Sequence, residues 1–408
     1  MKTAKFWLSI LSHVYYMQKM DKALLYNTQT GENIHTKNSQ IINLLEQMHE
    51  KKNLGVIEID EISYNEIEDF IKESITKNIC TITKKVAGQP KPIQLMPILN
   101  LQRDIEKLIK EEGRSLGEGV LHYLSDVTIY LNQTCSLNCP DCNNLCNQFF
   151  HCSKSFTEDY IDFDFLKQFL KQLSFTFIRR LAITGGNIFL YPYFSELISF
   201  LQEEKIRPLF GVHYGNIDSN KMSELNGFFF EILVTFPLEN DFVHNIALLL
   251  IQENVKYIFV ITSQEDYNQA EILVSEYAIT NYEYKPFYTG KNQDFFEENI
   301  YLTKDDIFSN ILPQRIIFAH QKLNTNFFGK IHLLSNGDIK AHTLKPILGN
   351  FKQTPLVKIL EKEMITNTAW RIIRDKTPCN ECLYQFLCPS PSDYEWVMAR
   401  NNLCHIVQ

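Results

Sequence analysis

Ten cysteines are spread unevenly over the 408 residues. Cys135, Cys139 and Cys142 stand at C-x3-C-x2-C spacing, with Cys146 and Cys152 close behind. Cys379, Cys382 and Cys388 stand at C-x2-C-x5-C, with Cys404 further on and Cys80 alone. Thiolates this close on a loop can turn toward one point and hold a metal. The first three leave a four-site centre one ligand short, as catalytic metals require, whereas four thiolates close a centre. A structural zinc knuckle drawing on Cys146 or Cys152 is the rival reading of the first group. A four-thiolate zinc site is the rival for the second, and spacing does not separate it from iron–sulfur. A disulfide framework would be dense in a short chain, and this one is long with wide cysteine-free tracts. Clustered cysteines in such a chain point to metal in a reducing cytoplasm.

The first group directly follows an apolar run, Val127-Thr128-Ile129-Tyr130-Leu131, that reads as a buried strand. A second strand, Leu181-Ala182-Ile183, ends in Thr184-Gly185-Gly186-Asn187. From Val127 to about Tyr288 strand and helix patterns alternate, which predicts an α/β fold of parallel units. The strands expected are Val127–Leu131, Leu181–Thr184, Pro208–Val212, Phe230–Phe236, Tyr257–Ile261 and Tyr282–Tyr288. Helices are expected at Tyr160–Leu173, Phe194–Glu203, Asn245–Gln252 and Gln269–Tyr277. A dinucleotide-binding reading lacks G-x-G-x-x-G after the first strand. In parallel barrels the active site lies at the C-terminal ends of the strands, where the cysteine loop falls.

Residues 1–85 carry a separate pattern. Short strand-like runs at Phe6–Leu11, Val14–Met17 and Ala23–Tyr26 precede a helix capped by Asn38 or Ser39. A strand at Val56–Ile59 follows. Then comes a helix from about Tyr64 with Ile67, Phe70, Ile71 and Ile75 inward, and a closing strand, Ile79–Thr83. Residues 86–126 read as a linker, with prolines, a charged helix at Leu101–Lys110, and Gly113, Gly117 and Gly119. Residues 127–300 hold the parallel units. Residues 301–408 hold a hairpin over Lys330–Lys340 with an Asn-Gly turn, a helix near Leu356–Glu363, and the second cysteine group.

The C-x3-C-x2-C loop after a first strand, with a glycine pair after the second, resembles the radical S-adenosylmethionine (SAM) family. That resemblance implies a partial (β/α)6 barrel and a [4Fe-4S] cluster held by Cys135, Cys139 and Cys142. SAM would bind the open iron and be cleaved to a 5′-deoxyadenosyl radical. Gly185, Gly186 and Asn187 would lie against the cofactor, although the family's acidic residue is replaced by Asn187 and its usual aromatic before the third cysteine by Asp141. Polar residues at later strand ends, such as His213, Asn216, Thr235 and Ser263, could face the cofactor.

The C-terminal group resembles a SPASM domain, which implies one auxiliary [4Fe-4S] cluster on Cys379, Cys382, Cys388 and Cys404. A second auxiliary set is missing, since Ser392 and His342 stand where cysteines are usual. Residues 1–85 resemble the winged-helix-like leader-recognition module of enzymes that modify ribosomally made peptides, in which a peptide adds to a sheet edge. Together these imply a cytoplasmic peptide maturase whose partners are a precursor peptide and an electron donor such as ferredoxin or flavodoxin. The alternatives are a catalytically reduced partner that binds and presents the peptide, and a zinc-stabilised scaffold. The net charge of −8 argues against binding nucleic acid through a basic surface. No apolar run approaches the ~18 residues of a membrane span.

Overall fold

The computed structural model describes residues 4–94, 110, 111, 113, 119–139, 141–149, 152, 160–174, 176–238 and 254–406. All that follows concerns those residues. The helix expected at Asn245–Gln252, and all but the last residue of that at Leu101–Lys110, lie outside them.

Six strands precede the linker: β1 (Lys5–Ile10), β2 (Val14–Lys19), β3 (Lys22–Asn27), β4 (Asn33–Thr36), β5 (Val56–Asp60) and β6 (Cys80–Lys84). They form two three-stranded sheets, β5-β1-β6 and β2-β3-β4. β4 has no strand signal of its own, since Ile34 is its one apolar residue; antiparallel pairing with β3 imposes it. The helix Ser39–His49 is capped by Asn38, whose side chain accepts from the amides of Gln40 and Ile41. The single helix expected from Tyr64 is two, Glu61–Glu66 and Glu68–Thr76. Asp60 caps the first through the Ser63 amide, and Ile67 leaves helical geometry between them. Ile75, expected inward, is exposed; Ser74 takes the buried position.

The expected six parallel strands are β7 (Asp126–Tyr130), β8 (Arg180–Thr184), β9 (Leu209–His213), β10 (Phe229–Val234), β11 (Val255–Ile261) and β12 (Tyr282–Pro286). They lie side by side in chain order. The sheet continues past β7 through β13 (Lys330–Leu333), β14 (Asp338–Lys340) and β15 (Gly349–Asn350). β13 runs parallel to β7, so the hairpin that the sequence assigns to the C-terminal part extends the central sheet. Gly337 takes a positive φ of 95° at its turn.

Side chains alternate across the pleat. Val127, Ile129, Ile183, Phe210, Val212, Ile232, Val234 and Phe259 join the large core formed with the helices Phe163–Leu173, Phe194–Glu203 and Gln264–Glu276. On the opposite face Leu233, Ile258 and Val260 form a separate cluster with Leu145, Phe149, Cys152 and Phe287. The helix Cys142–Phe149, which begins on the third cysteine, is thereby laid against this face. Gln148 fixes it there, donating to the Tyr288 carbonyl and accepting from the Tyr288 amide, each at 2.9 Å.

The N-terminal part packs on the C-terminal cysteine segment. Tyr15, Leu24 and Tyr26 share a core with Ile307, Ile317, Leu387 and Cys388. Lys19 Nζ donates to the Asn380 carbonyl at 2.8 Å, and the Tyr26 hydroxyl accepts from the Leu312 amide at 2.8 Å.

Candidate metal centres

The loop leaving β7 carries Cys135, Cys139 and Cys142 at the C-terminal ends of the parallel strands, all three partly exposed. Two backbone amides hold it. Gly186 donates to the Asn132 carbonyl at 3.0 Å and Asn187 to the Thr134 carbonyl at 2.6 Å. The Asn132 side chain returns a bond to the Asn187 carbonyl at 2.8 Å. A Cβ at Gly185 would lie 2.7 Å from the Asn132 carbonyl oxygen, and one at Gly186 only 2.3 Å from that of Thr134. The glycine pair therefore lets two loops touch. The Cβ positions of both glycines face the cysteine loop. The Asn187 side chain accepts from the Phe189 amide at 3.0 Å and caps a 3-10 turn.

β9 ends on His213 and continues into a 3-10 turn, Tyr214–Asn216. Gly215 brings this turn against the cysteine loop, since a Cβ there would lie 3.1 Å from the Leu137 side chain. His213 Nε2 stands 3.5 Å from Cys139 Sγ and 2.9 Å from Thr235 Oγ1. Its Nδ1 accepts from the Gly215 amide at 3.1 Å, which leaves the ring proton on Nε2. Burial pulls the His213 pKa down to about 4, so the ring is neutral at pH 7. Asn216 Nδ2 stands 3.5 Å from Cys135 Sγ and 3.4 Å from the Gly186 carbonyl, with its Oδ1 3.7 Å from the same sulfur; the Gly186 carbonyl, an acceptor, sets Nδ2 as the donor side. Of the polar strand-end residues the sequence suggested, His213 and Asn216 meet the sulfurs and Thr235 meets His213. Ser263 instead caps the helix Gln264–Glu276.

Two further thiols stand near. Cys152 is buried and forms an isolated bridge with Gly185. Burial, then the neighbouring thiols of Cys142, Cys139, Cys135 and Cys146, hold its pKa well above the ordinary range. Burial and Cys142 push Cys146 up to about 11.

The second group is more enclosed. A 3-10 turn, Cys379–Glu381, sets Cys379 beside Cys382, and Cys388 follows on a tight turn, its amide donating to the Tyr384 carbonyl at 2.9 Å. Cys404 is brought in by its bridge with Leu302. All four thiols line one small cavity with Arg374, and Cys379, Cys382 and Cys388 are buried. The Arg374 guanidinium lies 3.9 Å from Cys379 Sγ and is bonded to Glu395 at 2.6 Å, both side chains being buried. Burial pushes the Cys388 thiol up to about 12, against the pull of Arg374.

The donor chemistry of both sets is that of a thiolate-held cluster: three half-exposed sulfurs with nitrogens near two of them in the first, and four sulfurs on one cavity in the second. Among the described residues, no three His, Cys, Asp or Glu side chains converge closely enough for a single metal ion. His342 and Ser392 are otherwise engaged. His342 Nε2 donates to Asp393 Oδ1 at 2.5 Å, and Ser392 forms a capping box with Glu395.

No protein-family model matches the sequence, and no curated protein matches it. Among solved structures, SuiB of Streptococcus suis bound to its precursor peptide SuiA is 13% identical, covering 98% of this chain and 99% of that one, with a TM-score of 0.47. SuiB bound to S-adenosylmethionine is 13% identical over 98% of this chain and 99% of that one, with a TM-score of 0.46. BtrN in complex with AdoMet and 2-DOIA is 15% identical, covering 60% of this chain and 85% of that one, with a TM-score of 0.35. All three scores lie below 0.5; the fold described above stands on strand order and register.

Proposed function

We propose that the chain is a radical SAM enzyme that modifies a ribosomally made precursor peptide. The observation that carries this reading is the placement of three half-exposed thiols at the C-terminal mouth of six consecutive parallel strands, with N–H groups of His213 and Asn216 at two of the sulfurs. Cys135, Cys139 and Cys142 would hold a [4Fe-4S] cluster with one open iron, and Cys379, Cys382, Cys388 and Cys404 a closed auxiliary cluster. With SAM bound at the first of these, such a cluster would supply radical chemistry able to remove a hydrogen atom from the peptide. The chain's own part is positioning: Asn132 and Thr134 tie the cysteine loop to Gly186 and Asn187, and the β9 turn braces it from the other side.

The peptide partner is supported by the N-terminal part. Among the described residues β5 pairs on one side only, with β1, and beside it runs a groove of about 420 Å³ lined by both apolar and charged residues, among them Leu44, Ile57, Ile67, Lys5, Glu58 and Glu66. An edge strand beside a helix suits strand addition by a leader peptide. A soluble donor such as ferredoxin or flavodoxin would supply the electron in a cytoplasmic setting.

One observation favours the alternative of a peptide-presenting partner without turnover. Leu145, Phe149, Cys152 and Phe287 fill part of the sheet face on which a substrate would sit. Anaerobic reconstitution decides between the two. The enzyme reading expects about eight irons per chain and 5′-deoxyadenosine on reduction with SAM. Iron bound without any cleavage, with or without a peptide encoded beside this chain, sinks it in favour of the partner; zinc in place of iron supports the scaffold.

A further inference from the structure

We infer that His213 and Asn216 are positioning residues whose N–H groups hydrogen-bond the sulfurs of Cys139 and Cys135, and so set the reduction potential of the centre those sulfurs hold. The inference rests on the proposed cluster site but does not require that SAM be cleaved. Both donors come from one short element, the end of β9 and its 3-10 turn. The element is pressed onto the cysteine loop at Gly215, where any side chain would meet Leu137. Each donor is fixed from a second side. The Gly215 amide occupies His213 Nδ1, so the single Nε2–H is shared between Thr235 Oγ1 at 2.9 Å and the Cys139 sulfur at 3.5 Å, while the Gly186 carbonyl accepts from Asn216. The two nitrogens thus stand 3.5 Å from the two sulfurs.

A thiolate bound to iron carries more negative charge in the reduced cluster than in the oxidised one. An N–H aimed at the sulfur therefore favours the reduced form and raises the potential. Two such donors on two of three ligands act on the first centre alone. The second has a guanidinium in the corresponding role, Arg374 beside Cys379.

The test is a potentiometric titration of the reconstituted full chain with dithionite, one electron per cluster, followed by electron paramagnetic resonance. His213→Leu and Asn216→Leu each remove a donor while keeping bulk, and each is expected to lower the first centre's potential and leave the second unchanged. His213→Gln keeps an N–H and should recover most of the shift; a merely structural role would not separate the Leu and Gln variants. Iron at the wild-type level with unchanged potentials in both Leu variants overturns the inference while leaving the cluster reading intact. Wild-type protein that takes up no iron at Cys135, Cys139 and Cys142 overturns both.

Discussion

The two thiol groups differ in how the chain holds them. The first is built on a loop between strand ends, its sulfurs half-exposed and met by neutral N–H donors. The second is built on turns packed between the N-terminal sheet and the chain end, mostly buried, with a buried cation against it. A reactive centre needs an open position and access; a closed one needs only four ligands and a compensated charge. Exposure and local charge thus separate the two groups in the way the proposed open and closed centres require, a difference that cysteine counting alone suggests only by number.

The largest expected effect breaks the second site. Arg374→Met removes the cation and strands the Glu395 carboxylate, whose other bonds go to Ser392. Breaking a buried pair in this way costs about 3–5 kcal/mol, read by denaturant unfolding. A loss within the range of an exposed ion pair would mean that the pair is solvated and the site less closed than described.

A smaller, selective effect breaks the first site. Gly186→Ala places a Cβ against the Thr134 carbonyl and must push the cysteine loop away. We expect about 1–3 kcal/mol of destabilisation from overpacking, and reconstituted protein that keeps about four irons, those of the C-terminal site. Retention of all iron would show that the contact between the two loops does not position the cysteines.

The smallest effect is in pH. Burial lowers the pKa of His320, which donates through Nδ1 to the Phe386 carbonyl at 2.9 Å beneath the second site. Below pH ~6.5 the unfolded chain takes up a proton that the folded chain refuses, so stability falls on acidification and returns above that pH. His320→Gln should shrink the difference in melting temperature between pH 7 and pH 5.5; an unchanged difference would place the acid sensitivity elsewhere.

Much of this is legible in the sequence because the parallel strands are nearly continuous apolar runs, and all six appear within a few residues of where they are expected. The cysteine spacings reveal both groups for the same reason: short-range geometry is written in short-range sequence. What the sequence hides is long-range. Nothing in Lys330–Leu333 says that it pairs with β7, and nothing in Ile34 says that β3 makes its neighbours a strand. Gly185 and Gly186 announce a close approach, but only the fold shows that the partner is Asn132–Thr134. His213 and Asn216 are two of several polar strand-end residues, and the Gly215 contact singles them out. Arg374 carries no motif at all; its burial beside Cys379 is its signal.

The central claim, one open and one closed centre, is tested most directly on the same reconstituted protein by electron paramagnetic resonance with and without S-adenosylmethionine. The account predicts two reduced-cluster signals, of which the one lost in Cys139→Ala changes on adding SAM and the one lost in Cys382→Ala does not. Two signals that both ignore SAM, or a SAM response that survives Cys139→Ala, would contradict it.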